Sequence, residues 1–284
     1  MRDVPTMRTL AWLAACLVAL TAPAGALAQG SAAQSSQGAP KVLRYSFLVA
    51  ETGFDPVQIN DLYSSIILGQ IFDPPYTYDF LARPAKVKPN TAAAMPEVSA
   101  DGLTWTIRIR PGIYFSDDAA FNGRKRELTA QDYVYSLKRH FDPKSKSPNV
   151  YLVDKRIAGM DELRQAALKG APFDYDREVE GLRVIDRYTY RIRVTEPWPS
   201  FIYYLTYCNL VCAVAREVIE AAGDKTMERP VGTNAFRLAQ WKRSSRMVLE
   251  RNPNYRDDRY DEQAPEGDAL KQAIAAKLKE PIAQ

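Results

Sequence analysis

The side chains that carry acid–base, nucleophilic or metal chemistry are few in this chain and poorly spaced for it. One histidine, His140, occurs in 284 residues, beside Phe141 near what reads as a helix C-terminus. A histidine there favours the helix dipole or packs, and without a second base it forms no relay. No other His, and no Cys or carboxylate at ligand spacing, accompanies it, so a transition-metal site lacks a donor set. The sequence contains no G-x-S-x-G, S-x-x-K or H-E-x-x-H, and no phosphate-cradling glycine loop. Asp117-Asp118 and Asp257-Asp258 are chain neighbours, and adjacent carboxylates seldom converge as an acid/base pair. Both read as solvated turns. Catalysis, a metal and a cofactor are therefore not expected. What is abundant is aromatic: 16 Tyr and 4 Trp, suited to lining a cleft and equally to filling a core.

The remaining reactive groups are thiols. Cys16 lies in an apolar N-terminal run, and Cys208 and Cys212 lie together further on. On a strand, residues four apart are about 13 Å from each other, beyond disulfide reach. On a helix they share a face and come marginally close. Because Tyr203-Tyr204-Leu205 and Leu210-Val211 around them look buried, two packed free thiols are the expectation.

The N-terminus places Arg2 and Arg8 before an apolar run from Leu10 to Leu20, broken by Pro23 and Gly25 and followed by Ala26-Leu27-Ala28. A charged start, a short apolar middle and an A-x-A end mark a secretory signal peptide, residues 1–28, with cleavage after Ala28. A membrane anchor needs about 20 apolar residues, more than the uninterrupted run supplies. Leu13-Ala14-Ala15-Cys16 looks like a lipoprotein box, but too little apolar sequence precedes that cysteine. Residues 29–40 are Gly, Ser, Ala and Gln with no charge, a flexible linker. The net charge of +4 is spread without long runs, so no footprint for nucleic acid emerges. Arg124-Lys125-Arg126 and Lys242-Arg243 read as solvated loops.

Behind these residues stand the elements that would position them. Arg44 to Val49 is a short strand candidate. Asn60 or Asp61 caps a helix through Leu62, Ile66, Ile67 and Ile71, and Asp73-Pro74-Pro75 stops it. Leu103, Trp105, Ile107 and Ile109 alternate with polar residues, the period of a half-buried strand, as do Tyr190, Ile192 and Val194. Thr129 with Asp132 resembles a capping box opening a helix that Asp142-Pro143 closes. Helices are expected at Met160 to Leu168, Phe201 to Cys208 and Arg216 to Ala222. A hairpin follows, Phe236 to Trp241 against Met247 to Arg251. Ala269 to Lys279 predicts an amphipathic helix. Helices and strands mix irregularly, an α/β or α+β arrangement with no internal repeat.

Three runs, taken in order, carry a family resemblance. The first is Phe54-Asp55-Pro56, with Ile71-Phe72 and Tyr78-Asp79 after it. The second runs from Met95-Pro96-Glu97-Val98-Ser99 through Asp101-Gly102-Leu103-Thr104-Trp105 and Pro111-Gly112 to Leu128-Thr129-Ala130-Gln131-Asp132-Tyr133-Val134. The third is Glu196-Pro197-Trp198-Pro199, then Pro230-Val231-Gly232-Thr233 and Leu249-Glu250-Arg251-Asn252-Pro253. Their order and spacing across residues 44 to 256 resemble the dipeptide- and oligopeptide-binding proteins of bacterial ABC importers, the family 5 extracellular solute-binding proteins.

That resemblance implies an α/β, periplasmic-binding-protein-like (type II) clamshell closing on an extended peptide, and a monomeric periplasmic protein that delivers it to membrane permease subunits. Relatives continue for about as long again, so the expectation is the first lobe only, the second lobe missing. Residues 41–72 and 216–260 would form the core subdomain of that lobe, 73–215 an inserted subdomain, and 261–284 a truncated crossing segment. By position, Asn60, Asp61 and Leu62 match the family segment whose backbone lines the cleft. After Ser147-Pro148, where relatives place a cleft tyrosine, this chain has Asn149, with Tyr151 two residues on. These five are the candidate ligand-binding residues. A truncated, non-binding fragment is the alternative function, and a secreted hydrolase the third. Relatives take dipeptides, oligopeptides, nickel complexes or sugars; the lack of a His pair argues against metal.

Overall fold

The computed structural model describes residues 41–258, 262 and 264–277. The expected signal peptide, linker and Cys16 box lie outside them. The chain divides into two units, Met1–Tyr45 and Ser46–Gln284. Of the first, residues 41–45 are exposed coil. The second begins without regular structure, so the strand expected over 44–49 does not form. Leu48 is exposed, and no strand among the described residues pairs with this stretch. An unpaired strand leaves its N–H and C=O groups to water, which favours coil.

Helix α1 spans Leu62–Ile71. Asp61 caps it by accepting the Ser64 N–H at 2.8 Å, and Ser64, Ile67, Leu68 and Ile71 form its buried stripe, one residue per three or four. Strands β1 (Tyr76–Tyr78) and β2 (Val87–Pro89) pair as a small antiparallel ribbon. Strands β3 (Glu97–Val98) and β4 (Thr104–Arg108) come next. Helix α2 then runs Ala130–Phe141, opened by the expected capping residues: the Asp132 carboxylate accepts from the Thr129 N–H at 2.8 Å and hydroxyl at 2.9 Å. Helix α3 is Met160–Leu168, followed by β5 (Leu182–Asp186) and β6 (Thr189–Arg193). The order β3-β4-β6-β5 makes a four-stranded antiparallel sheet.

The single helix expected from Phe201 to Cys208 is two short ones, α4 (Phe201–Tyr204) and α5 (Cys208–Val211). The Leu205 carbonyl, which would continue the first, instead accepts the Tyr76 N–H of β1 at 3.4 Å. Helix α6 (Arg216–Ala222) leads to the hairpin of β7 (Phe236–Lys242) and β8 (Arg246–Arg251), and α7 is Ala269–Lys277. No helix among the described residues is long and apolar enough to cross a membrane.

Two apolar clusters organise these elements. One packs Trp105, Ile107, Tyr190 and Ile192 of the sheet against Tyr133, Val134 and Leu137 of α2, with Tyr133 stacked on Tyr190 at 5.4 Å. The other joins Phe54, Ile59 and the α1 stripe to Tyr135, Val214 and, from the hairpin, Leu238 and Trp241. Helix α2 serves both, and all its residues except Gln131 are buried. Its polar side chains survive burial because each meets a partner. Lys138 Nζ donates to the Tyr175 and Arg177 carbonyls at 2.8 and 2.7 Å, and the Ser136 hydroxyl donates to the Asp132 carbonyl at 2.7 Å.

Several charged residues read as solvated are instead tied down. Arg126 pairs with Asp132 at 2.7 Å and Glu217 at 2.6 Å. Asp118 pairs with Arg229, and Asp258 with Arg110 and Arg256. Short clusters of charge look solvated in sequence because their partners lie up to 148 residues away.

Gly232 shows how closely the segment before the hairpin approaches α1. A Cβ there would stand 2.1 Å from the Ile71 carbonyl oxygen, and the neighbouring Asn234 N–H donates to that same oxygen at 2.9 Å. Neither backbone can yield without losing hydrogen bonds. Gly232→Ala is expected to lower the unfolding free energy by about 1–3 kcal/mol, read as a lower urea midpoint at unchanged m-value.

Candidate ligand-binding surface

The five sequence candidates fall on two loops that one hydrogen bond joins. Asn60 and Leu62 are exposed at the start of α1, with Leu62 67% accessible. Asp61, between them, is half-buried and fully engaged. Its second oxygen accepts the Thr52 hydroxyl at 2.6 Å. Burial pushes the Asp61 carboxyl upward, but the Thr52 hydroxyl and Ser64 N–H outweigh it and hold the group below its ordinary range. It is an anion committed to capping. Among the described residues, no hydrogen bond is made to the main-chain N–H of Asn60, Leu62 or Tyr63. Three main-chain donors without a hydrogen bond among the described residues thus sit at the positive end of α1.

Asn149 and Tyr151 lie on the second loop and differ in kind. Tyr151 is 70% exposed, a side chain free to meet a ligand. Asn149 is 3% exposed, and its Nδ2 donates to the Ile59 carbonyl at 2.7 Å. It holds the residue preceding Asn60 from behind.

A second asparagine does the same from a third segment. Asn209, in α5, is buried and donates from Nδ2 to the Ile59 carbonyl at 3.0 Å and to Ser65 Oγ at 2.8 Å. The Ser65 hydroxyl in turn donates to the Asp61 carbonyl at 2.6 Å. Residues 59 to 61 are thereby fixed at both carbonyl ends. Sequence reasoning missed Asn209, because its role depends on Ile59, 150 residues away, and no local pattern marks it. Beside it, Tyr207 is part-exposed; burial raises its phenol, and the nearby Tyr151 adds to the shift.

Two further features brace these loops. Cys208 and Cys212 form a disulfide, with Cα atoms 4.6 Å apart, against the expectation of free thiols. The reason is local: Cys208 opens a single helical turn and Cys212 caps it, its N–H donating to the Cys208 carbonyl at 3.0 Å. Four residues on a turn share a face at disulfide distance. Nor is the surrounding Tyr203 buried, being half exposed. His140 braces the other loop. Its Nδ1 lies 2.7 Å from Ser147 Oγ, which accepts the Asn149 N–H at 3.2 Å, and the main chain at Leu210 also hydrogen-bonds the ring. Burial, with the Arg139 charge next to it, pushes the imidazole down to about 4. It is a neutral packing residue and carries no charge to the helix dipole.

The arrangement offers main-chain donors, aromatic and aliphatic side chains and no poised nucleophile. Among the described residues no three His, Cys, Asp or Glu side chains are placed to hold a metal.

Comparison with known proteins gives this surface a context. Residues 86–276 match the family model for bacterial extracellular solute-binding proteins, family 5. The periplasmic oligopeptide-binding protein OppA of Salmonella typhimurium is 30% identical over 207 residues, covering 72% of this chain and 34% of that protein. A probable deoxycholate-binding periplasmic protein of Escherichia coli is 27% identical over 253 residues, covering 88% and 43%. Among solved structures, Haemophilus influenzae OppA in complex with the peptide RPPGFSPFR superposes with a TM-score of 0.59 at 25% identity, covering 80% of this chain and 42% of that one. The chain thus spans roughly a third to two fifths of the length of the curated relatives it matches. The family match covers well over half of the sequence and takes in α2, the four-stranded sheet and most of the first apolar cluster. The chain belongs to the bacterial extracellular solute-binding proteins, family 5.

Proposed function

We propose that this protein is the periplasmic substrate-binding component of an ABC importer and that it captures peptides, with residues 59–65, Tyr151 and Tyr207 forming part of the ligand-facing wall. The observation that carries the reading is the strip at Asn60–Tyr63. Its main-chain donors at Asn60, Leu62 and Tyr63 are unused among the described residues, while the Ile59 carbonyl is held by Asn149 and Asn209. A peptide backbone presents carbonyls to which such a strip donates, while varied side chains need only accommodating aromatic neighbours. The absence of a nucleophile and base pair in the sequence supports binding without hydrolysis. In this reading, residues 41–72 and 216–260 belong to one subdomain and 73–215 to another, with Tyr135 and Val214 of the second packing into the cluster of the first. Asn60, Asp61, Leu62 and Tyr151 contribute to the surface directly. Asn149 contributes by positioning.

The test is a thermal-shift screen of synthetic peptides two to six residues long, with deoxycholate as a non-peptide comparator. Binding to the folded state raises Tm with ligand concentration. A concentration-dependent rise with peptides, with the peptides recovered intact, is the expected result. No shift with any peptide would defeat the reading, as would release of cleaved products. A shift with deoxycholate alone would replace peptide by an amphipathic acid.

A further inference from the structure

We propose that the Cys208–Cys212 disulfide and Asn209 act together as a redox-sensitive positioning device for the Asn60–Tyr63 strip; its effect on ligand affinity rests on the reading above. The disulfide closes a ring of five residues, and Asn209 lies inside it. From that ring the Asn209 amide reaches both Ile59 and Ser65, the residues that flank the strip. Helix α5 is four residues long, far below the length at which a helix holds its own shape. Its main-chain bonds are a single turn: Val211 N–H to the Tyr207 carbonyl at 3.0 Å and Cys212 N–H to Cys208 at 3.0 Å. A covalent bond across that same turn is what distinguishes it from a fraying one.

The Asn149 arm has no such bond. Asn149 donates directly to the Ile59 carbonyl at 2.7 Å and is itself held by the Ser147 hydroxyl beside His140, none of these residues lying within the ring. The strip therefore has one support inside the disulfide ring and one that touches the ring only through the Leu210 main chain at His140, so reductant acts on the first directly. Cys212 is buried, in the cluster with Phe54 and Ile59, while Cys208 is half-buried. A dithiol reductant would attack Cys208 Sγ as its thiolate, forming a mixed disulfide while the Sγ–Sγ bond breaks. Cys212 leaves as thiolate and takes a proton. The second thiol of the reductant then displaces Cys208, so the reductant becomes a cyclic disulfide and the protein a dithiol.

Amide hydrogen exchange on the full chain tests this without needing a ligand, since local opening shows as local loss of protection. Three forms are compared: oxidised, dithiothreitol-reduced with thiol content checked by mass, and the Cys208→Ser/Cys212→Ser variant. Exchange at Ser64 and Ser65, whose N–H groups Asp61 holds, is expected to speed up about tenfold in the last two forms, the scale of one lost hydrogen bond. Exchange at Ile107 and Ile192 in the four-stranded sheet should stay unchanged. Adding Asn209→Ala to the double-serine variant should produce no further acceleration. Unchanged exchange at Ser64 and Ser65 on reduction overturns the proposal, and so does equal acceleration in the sheet, which marks a general loss of stability. Peptide affinity measured in parallel separates the two claims. Wild type that binds no peptide refutes the peptide reading, whereas tight binding that is indifferent to reduction refutes the positioning role.

Discussion

Arg139→Met is expected to lower the unfolding free energy by about 3–5 kcal/mol, the scale of stranding one partner of a buried ion pair. Arg139 and Asp55 meet through two parallel bonds, Nη1 to Oδ1 at 2.8 Å and Nη2 to Oδ2 at 2.7 Å. Arg139 is 4% exposed and Asp55 is fully buried. Burial pushes the Asp55 carboxyl upward, yet the Arg139 guanidinium outweighs it and holds the group below its ordinary range. Removing the guanidinium leaves the burial penalty alone, so the carboxyl would rise instead. The sign of the pH dependence then reverses. In the native protein, Asp55 contributes stability that is present above its unfolded pKa and lost as pH falls through its lower folded value. In Arg139→Met, ionising the stranded carboxyl costs stability, so the deficit shrinks as pH drops through the raised folded pKa toward the unfolded value of about 4. Urea unfolding of both proteins from pH 3 to pH 7 reads this directly. The Asp55→Leu/Arg139→Met pair should recover much of the loss, since an apolar pair of similar volume leaves no charge behind.

His140 yields the second large effect. Its folded pKa is depressed to about 4 by burial and the adjacent Arg139 charge, against an ordinary value of 6.5. The unfolded chain therefore takes up a proton that the folded chain refuses. Stability falls as pH drops from 6.5 to about 4 and this contribution levels off below that, for a total of about 3 kcal/mol. His140→Gln, which does not titrate, should flatten that part of the profile while leaving the carboxylate-driven part. The comparison is made on the difference between wild type and variant, so that Asp55 and the other carboxylates cancel. A difference that is flat between pH 6.5 and 4 would mean that the ring is open to solvent.

What was legible in the sequence was whatever depends on neighbours in the chain. Thr129 and Asp132 announce the start of α2, alternation through Trp105 and Ile107 gives β4, and the helices Met160–Leu168 and Arg216–Ala222 appear where their periodicity puts them. The motif runs led to the family. What was not legible depends on distant partners. Helix α2 is bounded in the sequence by its caps, but its polar face is buried because Asp55, Tyr175, Ser147 and Arg126 come to meet it. The Phe201–Cys208 helix is cut by β1 taking the Leu205 carbonyl. The disulfide needed that interruption, since it lets Cys208 begin a new turn. The site shows the same split. Asn60, Asp61 and Leu62 followed from position along the chain, whereas Asn209 became visible only once Ile59 was seen to accept two amides.

The central claim is that a peptide lies along Asn60–Tyr63. Backbone amide chemical shifts, followed while titrating the peptide that raises Tm most, address it residue by residue. The largest changes are expected at Asn60, Leu62 and Tyr63, whose N–H groups are unused among the described residues, with Tyr151 and Tyr207 moving alongside them. Saturable changes confined to another face, such as the outer side of the four-stranded sheet around Thr106 and Arg191, with Asn60–Tyr63 unmoved, would contradict it.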